Sequence, residues 1–291
     1  MRLLRSHYTI PLPSGRSLEL GERCLVMGIL NVTPDSFGDR LPLVDPQAAI
    51  DRALKMQDEG ADLIDVGGES TRPGASPIGV EEELRRVLPV VEGLAGRLRV
   101  PLSIDTYKAE VARAALERGA AIVNDISGLQ YDPGLASVVA CSGAGLVLMH
   151  TRGRSKTMYA EATYGDVVAE VADELGAGVA AAVTAGIPAD RIIVDPGIGF
   201  AKRPTDSYGV LARLPELARA LERPVLVGPS RKSYLRDAVD GRSAAERDWG
   251  TAAAVAAAVM GGAHIVRVHA VEEMVQVVAV AEEIRRQTPT L

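Results

Sequence analysis

Aromatic side chains are scarce in this 291-residue sequence, at 3%, with one tryptophan and only two phenylalanines, Phe37 and Phe200. A core so poor in rings must be filled by aliphatic side chains, and apolar residues, at 47%, are numerous enough to do it. Cysteine is nearly absent. Cys24 and Cys141 each stand alone in an apolar stretch, which excludes a disulfide framework and predicts buried thiols in a reducing, cytoplasmic compartment. No apolar run is long enough to cross a bilayer, and residues 1–20, with Arg2, Arg5 and Arg16 among them, lack the apolar segment of a signal peptide. A net charge of −6, with both signs mixed along the chain, offers no basic face for nucleic acid. Also missing are a Cys/His metal cluster, a Gly-x-Ser-x-Gly elbow, a P-loop and, after Gly67-Gly68, the glycine pattern of a dinucleotide site.

What is present is regular. His7–Leu20 alternates and turns at Pro13-Ser14-Gly15, which predicts a short N-terminal β-hairpin. Eight apolar runs follow: Cys24–Leu30, Leu63–Val66, Leu102–Ile104, Ala121–Val123, Gly145–Met149, Ile192–Val194, Pro224–Val227 and Ile265–Val268. They read as parallel strands buried on both faces. Helical spacings fill the gaps at Ala48–Gln57, Glu81–Leu94, Ala109–Arg118, Asp166–Ala185, Leu211–Leu221, Ala244–Met260 and Val271–Arg285. Eight strand–helix units in series, with no Ser/Gly linker, predict an α/β fold of the (β/α)8 TIM-barrel type. The expected division is a hairpin extension over residues 1–22 and one barrel domain over 23–291.

Polar residues fall where the runs end, the side on which such a barrel builds its active site. They include Asn31, Glu69, Asp105, Asn124, His150, Asp195, Lys232, Arg267 and His269. Taken singly, each has a plain reading as a cap, a turn former or a solvated side chain. Glu69 is read as pinning a neighbouring loop, and Thr151-Arg-Gly-Arg154 as a solvated basic loop. Eight loops converging on one rim favour a site. Asp105, Asn124 and Asp195 suit a flat heterocycle with several N–H donors and ring nitrogens, such as a pterin. Lys232, Arg267 and His269, from the last two units, suit phosphate oxygens.

Longer strings carry a resemblance. Met27-Gly-Ile-Leu-Asn-Val-Thr-Pro-Asp-Ser-Phe37, Asp65-Val-Gly-Gly-Glu-Ser-Thr-Arg-Pro-Gly74, Asp195-Pro-Gly-Ile-Gly-Phe200, Ser230-Arg-Lys232 and Arg267-Val-His269 resemble the dihydropteroate synthases, in that family's order and spacing. The resemblance implies that Asp105, Asn124, Met149, Asp195 and Lys232 hold a pterin. It gives Asn31, Arg267 and His269 the pyrophosphate, with Mg2+ near Asn31. Phe37, Thr71, Arg72, Pro73, Phe200 and Ser230 would frame 4-aminobenzoate, and Asp35 would face a developing cation or order the first loop. It further implies a sulfonamide-binding homodimer that uses small-molecule substrates.

Two positions depart from the family pattern. Gly38-Asp39-Arg40-Leu41 replaces Ser-Asp-Gly-Gly, which predicts a different closure of the first loop. Ala270 replaces Asp, which predicts the loss of a partner beside the pyrophosphate. Two rival readings share the pterin-facing residues. One is a methyltetrahydrofolate–corrinoid methyltransferase-type barrel, which needs no pyrophosphate clamp; the other is a non-catalytic paralogue.

Overall fold

The computed structural model describes residues 5–33, 45–70, 74–154, 157–160 and 162–287. β1 (Tyr8–Pro11) and β2 (Ser17–Leu20) form the expected antiparallel hairpin, with Tyr8 opposite Leu20 and a helical turn at Pro13–Gly15. Its alternation is real. Leu18 and Leu20 are buried while Ser17 and Glu19 face out.

Eight parallel strands follow: β3 (Leu25–Asn31), β4 (Leu63–Gly67), β5 (Leu102–Asp105), β6 (Ile122–Asp125), β7 (Gly145–Met149), β8 (Ile192–Asp195), β9 (Leu226–Val227) and β10 (Ile265–Val268). They pair in the order β8-β7-β6-β5-β4-β3-β10-β9. A parallel bridge between Val194 and Val225, and the 2.9 Å bond from Val194 N to Pro224 O, bring β9 back to β8 and close the ring. The predicted TIM barrel is thereby observed.

Among the described residues the outer layer holds α1 (Pro46–Asp58), α2 (Val80–Leu94), α3 (Ala109–Leu116), α4 (Leu135–Ser142), α5 (Val167–Thr184), α6 (Pro204–Ala212), α7 (Leu214–Leu221), α8 (Asp248–Met260) and α9 (Val271–Gln287). Asp45 and Asp166 cap α1 and α5, accepting from Gln47 N and from Val168 N and Ala169 N. Four expectations need correction. Leu211–Leu221 is not one helix: α6 ends at Ala212, and Pro215, in the first turn of α7, cannot donate back into a continuing helix. Ala244–Met260 is a separate turn at Ala244–Glu246 and a helix that begins at Asp248. α4 was not anticipated, because Leu-Ala-Ser-Val-Val-Ala-Cys-Ser has too little polar contrast to show a helical period. Cys141, on that helix, is exposed, whereas Cys24 is buried as expected.

Packing divides into two shells. Outward strand side chains such as Val66, Ile104, Val123 and Val266 meet the helices in the main core. Inward ones, Leu25, Met27, Leu63, Ile122, Val147, Ile193, Leu226 and Ile265, fill the lower barrel, and Ile10, Leu12, Leu18 and Leu20 of the hairpin plug it from beneath.

Candidate active site

Strand periodicity builds the site directly from this inner shell. Side chains two residues apart share a face, so each inward apolar residue has an inward successor nearer the mouth. Leu63 is followed by Asp65, Ile122 by Asn124, Val147 by Met149 and Ile193 by Asp195. Leu226 is followed by Gly228, and Ile265 by Arg267 and then His269. Except for Asp65, which is fully buried, the residues that follow line a cavity of about 610 Å3, together with Asn31, Asp105, Phe200, Ser230 and Lys232.

At the floor lies a charged cluster. Arg267 donates from Nε to Asp65 Oδ2 at 2.6 Å and from Nη2 to Asp105 Oδ2 at 2.7 Å. Asn124 Nδ2 donates to the same Asp65 oxygen at 2.8 Å. Burial works against the Arg267 charge, but Asp65 and Asp105 outweigh it and raise its pKa further. Burial raises the Asp105 pKa, and Arg267 opposes that rise. Nη1 of Arg267 has no hydrogen bond to a described residue, so it remains available to a ligand in the cavity.

Across Gly228 stand Asp195 and Lys232. A Cβ at Gly228 would make only ordinary contacts with them, 3.7 Å from Lys232 Nζ and 4.0 Å from Asp195 Oδ2. Asp195 Oδ1 accepts from Gly197 N at 2.7 Å, and burial raises its pKa against the pull of Lys232. Lys232 donates to Ile198 O at 2.6 Å and sits 4.4 Å from the Phe200 ring centroid. Burial pushes its ammonium down to about 8, with Asp195 resisting. Ser230 and His269 meet as well: Ser230 Oγ lies 2.8 Å from His269 Nδ1 and accepts from His269 N at 3.2 Å. Asn31, at the end of β3, lines this cavity and a second hollow of about 450 Å3 beside it, where Ala270 also lies.

The structure thus brings Asn31, Asp105, Asn124, Met149, Asp195, Phe200, Ser230, Lys232, Arg267 and His269 to one cavity. Asp35, Phe37, Thr71, Arg72, Pro73 and the Gly38–Leu41 departure lie outside the described residues. The residues assigned to different parts of the substrates are also in contact with one another. Arg267 is bonded to Asp105, and His269 to Ser230.

Asp65 was missed because it sits inside an apolar run rather than at its end; its signal is the two-residue step from Leu63. Met158, fully buried on the segment after β7, also lines the cavity, and no pattern in the sequence marks it. Glu69 does pin its surroundings, accepting from Ile78 N at 3.1 Å, Tyr107 Oη at 2.9 Å and Lys108 Nζ at 2.5 Å. Arg152 pairs with Glu170 and Glu174, and Arg154 stacks 4.3 Å over the Tyr131 ring, so the basic loop is committed to its own surface.

Comparison with known proteins identifies the family. The family described as pterin binding enzyme matches residues 27–269. A dihydropteroate synthase of Synechocystis sp. is 46% identical over 284 residues, which cover 97% of this chain and 98% of that one. The Xanthomonas albilineans dihydropteroate synthase, solved with 4-aminobenzoic acid, superposes with a TM-score of 0.89 at 42% identity, over 98% of this chain and 100% of that one. The Burkholderia cenocepacia enzyme, complexed with 7,8-dihydropteroate, gives 0.85 at 46% identity, over 96% and 97%. With the family matched over most of its length and these identities over nearly the whole chain, the chain belongs to the pterin binding enzymes, and among them to the dihydropteroate synthases.

Proposed function

We propose that this chain condenses 6-hydroxymethyl-7,8-dihydropterin pyrophosphate with 4-aminobenzoate, giving 7,8-dihydropteroate and pyrophosphate. The observation that carries the reading is the meeting of Asp105, Asn124, Asp195, Lys232, Arg267 and His269 around one cavity at the strand C-termini. In the reaction the bond from the pterin methylene to a pyrophosphate oxygen breaks, and the aminobenzoate nitrogen bonds to that carbon and loses a proton. The route is dissociative, with positive charge spread into the ring before nitrogen arrives.

Such chemistry depends on fixed charge and position rather than on a nucleophile. Asp195 and Asn124 would read the amino-pyrimidine edge, and Asp105 and Lys232 the ring atoms facing them, with Met149 packed alongside. Arg267, braced by two carboxylates, presents its remaining N–H groups without first having to be ordered. His269 and Arg267 would hold the departing pyrophosphate. Phe200 and Ser230 would flank aminobenzoate.

Among the described residues no three His, Cys, Asp or Glu side chains converge as a metal cage. Mg2+ ordinarily takes most of its ligands from water and substrate phosphates. The single amide oxygen of Asn31 at the cavity wall fits that habit, and Asn31 is the residue assigned to it. When bound, the ion would neutralise charge on the leaving oxygens.

The rest of the proposal concerns organisation. Trp249, Met260, Val280 and Ile284 leave apolar side chains exposed on α8 and α9, which supports a homodimer through that surface. No described helix is long and apolar enough to cross a membrane, and a cytoplasmic place is part of the same reading.

Incubation with both substrates, with Mg2+ or with EDTA, tests the function. Dihydropteroate and pyrophosphate should appear one for one, and only with the metal. Binding of the pterin pyrophosphate without either product would support a non-catalytic paralogue instead.

A further inference from the structure

Behind the cavity, on the outward side of β7 and β8, lies a charged cluster that the proposed chemistry does not use. Lys202 is 1% exposed. Its Nζ lies 2.7 Å from His150 Nδ1 and donates to Phe200 O at 3.2 Å. His150, directly after β7, reaches Glu174 Oε2 with Nε2 at 3.0 Å, and its backbone N donates to Asp195 O at 2.9 Å. Tyr164 packs beside both, with its ring centroid 6.3 Å from that of His150 and 5.9 Å from Lys202 Nζ. Its hydroxyl donates to Ala201 O at 2.8 Å.

These bonds converge on a backbone that resists its own shape. After β8 the chain takes left-handed φ at Gly197 (+68°), Gly199 (+77°) and Ala201 (+46°). Glycine accepts this freely, and at Gly197 a Cβ would come within 2.0 Å of His150 O. Ala201 does not, and a non-glycine residue stays in that region only when its surroundings over-determine it. Here two successive carbonyls, Phe200 O and Ala201 O, are gripped from behind by Lys202 and Tyr164. What the grip aims is Phe200, whose ring lines the cavity against Lys232.

We infer that Lys202, with His150 as its acceptor and Tyr164 as its neighbour, is a positioning residue that sets the Phe200 ring and so governs affinity for the aminobenzoate. The inference rests on the functional reading above for the identity of that substrate. Lys202 is costly to keep. Burial pushes its ammonium down to about 7, chiefly resisted by Asp195, while Lys232 and Arg152 push the same way as burial and Glu174 opposes them.

The test is Lys202→Met, which keeps the length of the stem and removes the charge. The variant should melt at or above the wild-type temperature. The KM for 4-aminobenzoate should rise about tenfold, with the KM for the pterin pyrophosphate nearly unchanged. Adding Ala201→Gly, which makes the left-handed φ free of strain, should restore most of the aminobenzoate KM. Tyr164→Phe should move the same constant by a smaller factor, and it stands in if Lys202→Met does not fold. Unchanged aminobenzoate KM in these variants, or an equal rise for both substrates, overturns the inference. A crystal structure of Lys202→Met separates this failure from failure of the functional reading. Ala201 leaving the left-handed region supports the grip whatever the wild-type activity, and an unmoved loop refutes it.

Discussion

The two ends of this barrel are made by the same strands and are opposite in character. At the lower end the inward residues of β3, β6, β8 and β10 are Met27, Ile122, Ile193 and Ile265, sealed by the hairpin through Ile10, Leu12, Leu18 and Leu20. One strand step higher, three of those strands carry Asn124, Asp195 and Arg267; on β3, Asn31 is two steps up. Below, burial of aliphatic surface is uniformly favourable. Above, three carboxylates and two cations crowd together; burial prevails over their partners at Asp105, Asp195 and Lys232, while at Arg267 the carboxylates prevail over burial. The fold is therefore held from beneath, and the mouth is free to be an expensive place. A difference of two residues along a strand separates the part that stabilises from the part assigned to chemistry.

Arg267→Ala should be the most damaging change to the mouth. It removes one preorganised donor, for a loss of about 10²–10³-fold in kcat/KM. It also leaves Asp65 and Asp105 buried without their cation, for about 3–5 kcal/mol of stability, so steady-state kinetics and denaturant unfolding should both report it. Full activity in this variant would remove Arg267 from the pyrophosphate assignment. Leu18→Ala tests the other end. Loss of the plug should cost about 2–4 kcal/mol in unfolding, with kcat/KM per folded molecule unchanged. A large kinetic defect would show that the two ends are not independent.

The pH profile sharpens the contrast. Lys232 is an ammonium below about 8 and is lost as a cation above it, so kcat/KM should fall about tenfold per pH unit beyond that point. Its pKa is lower in the folded chain than the ordinary lysine value of 10.5, so the unfolded chain binds more protons in this window. Through this group, then, stability rises with pH between about 8 and 10.5 while activity falls. Parallel loss of both would show that Lys232 is not the group titrating. The smallest effect is expected from Ser230→Ala. Losing the hydroxyl that meets both the backbone and Nδ1 of His269 should cost about 1 kcal/mol, a few-fold in kcat/KM.

The barrel could be read from its strands because eight aliphatic runs alternate with helical spacings in all but one of the gaps, and the hairpin from its turn and period of two. Helix breaks were less visible. Pro215 divides what looked like one helix, and α4 is too uniformly apolar to show its face. Site residues just past a run, such as Asp195 and His269, stood out because polarity begins there. Asp65 did not, since a lone carboxylate within Leu63–Val66 becomes intelligible only when Arg267 and Asn124 arrive from distant parts of the chain. For the same reason, the pairing of Arg267 with Asp105 and of His269 with Ser230 could not be deduced from spacing. His150 stood out at the end of a run but Lys202 did not, and their contact spans 52 positions.

The central claim is that the charged mouth, and not the barrel as a whole, carries the condensation. Its most direct test compares single-turnover formation of dihydropteroate by the wild type, Lys232→Met and Leu18→Ala, below the melting temperature of all three. The account predicts one dihydropteroate per pyrophosphate from the wild type, a rate about 10²–10³-fold lower for Lys232→Met, and an unchanged rate for Leu18→Ala. No dihydropteroate from the wild type, or equal losses in the two variants, would contradict it.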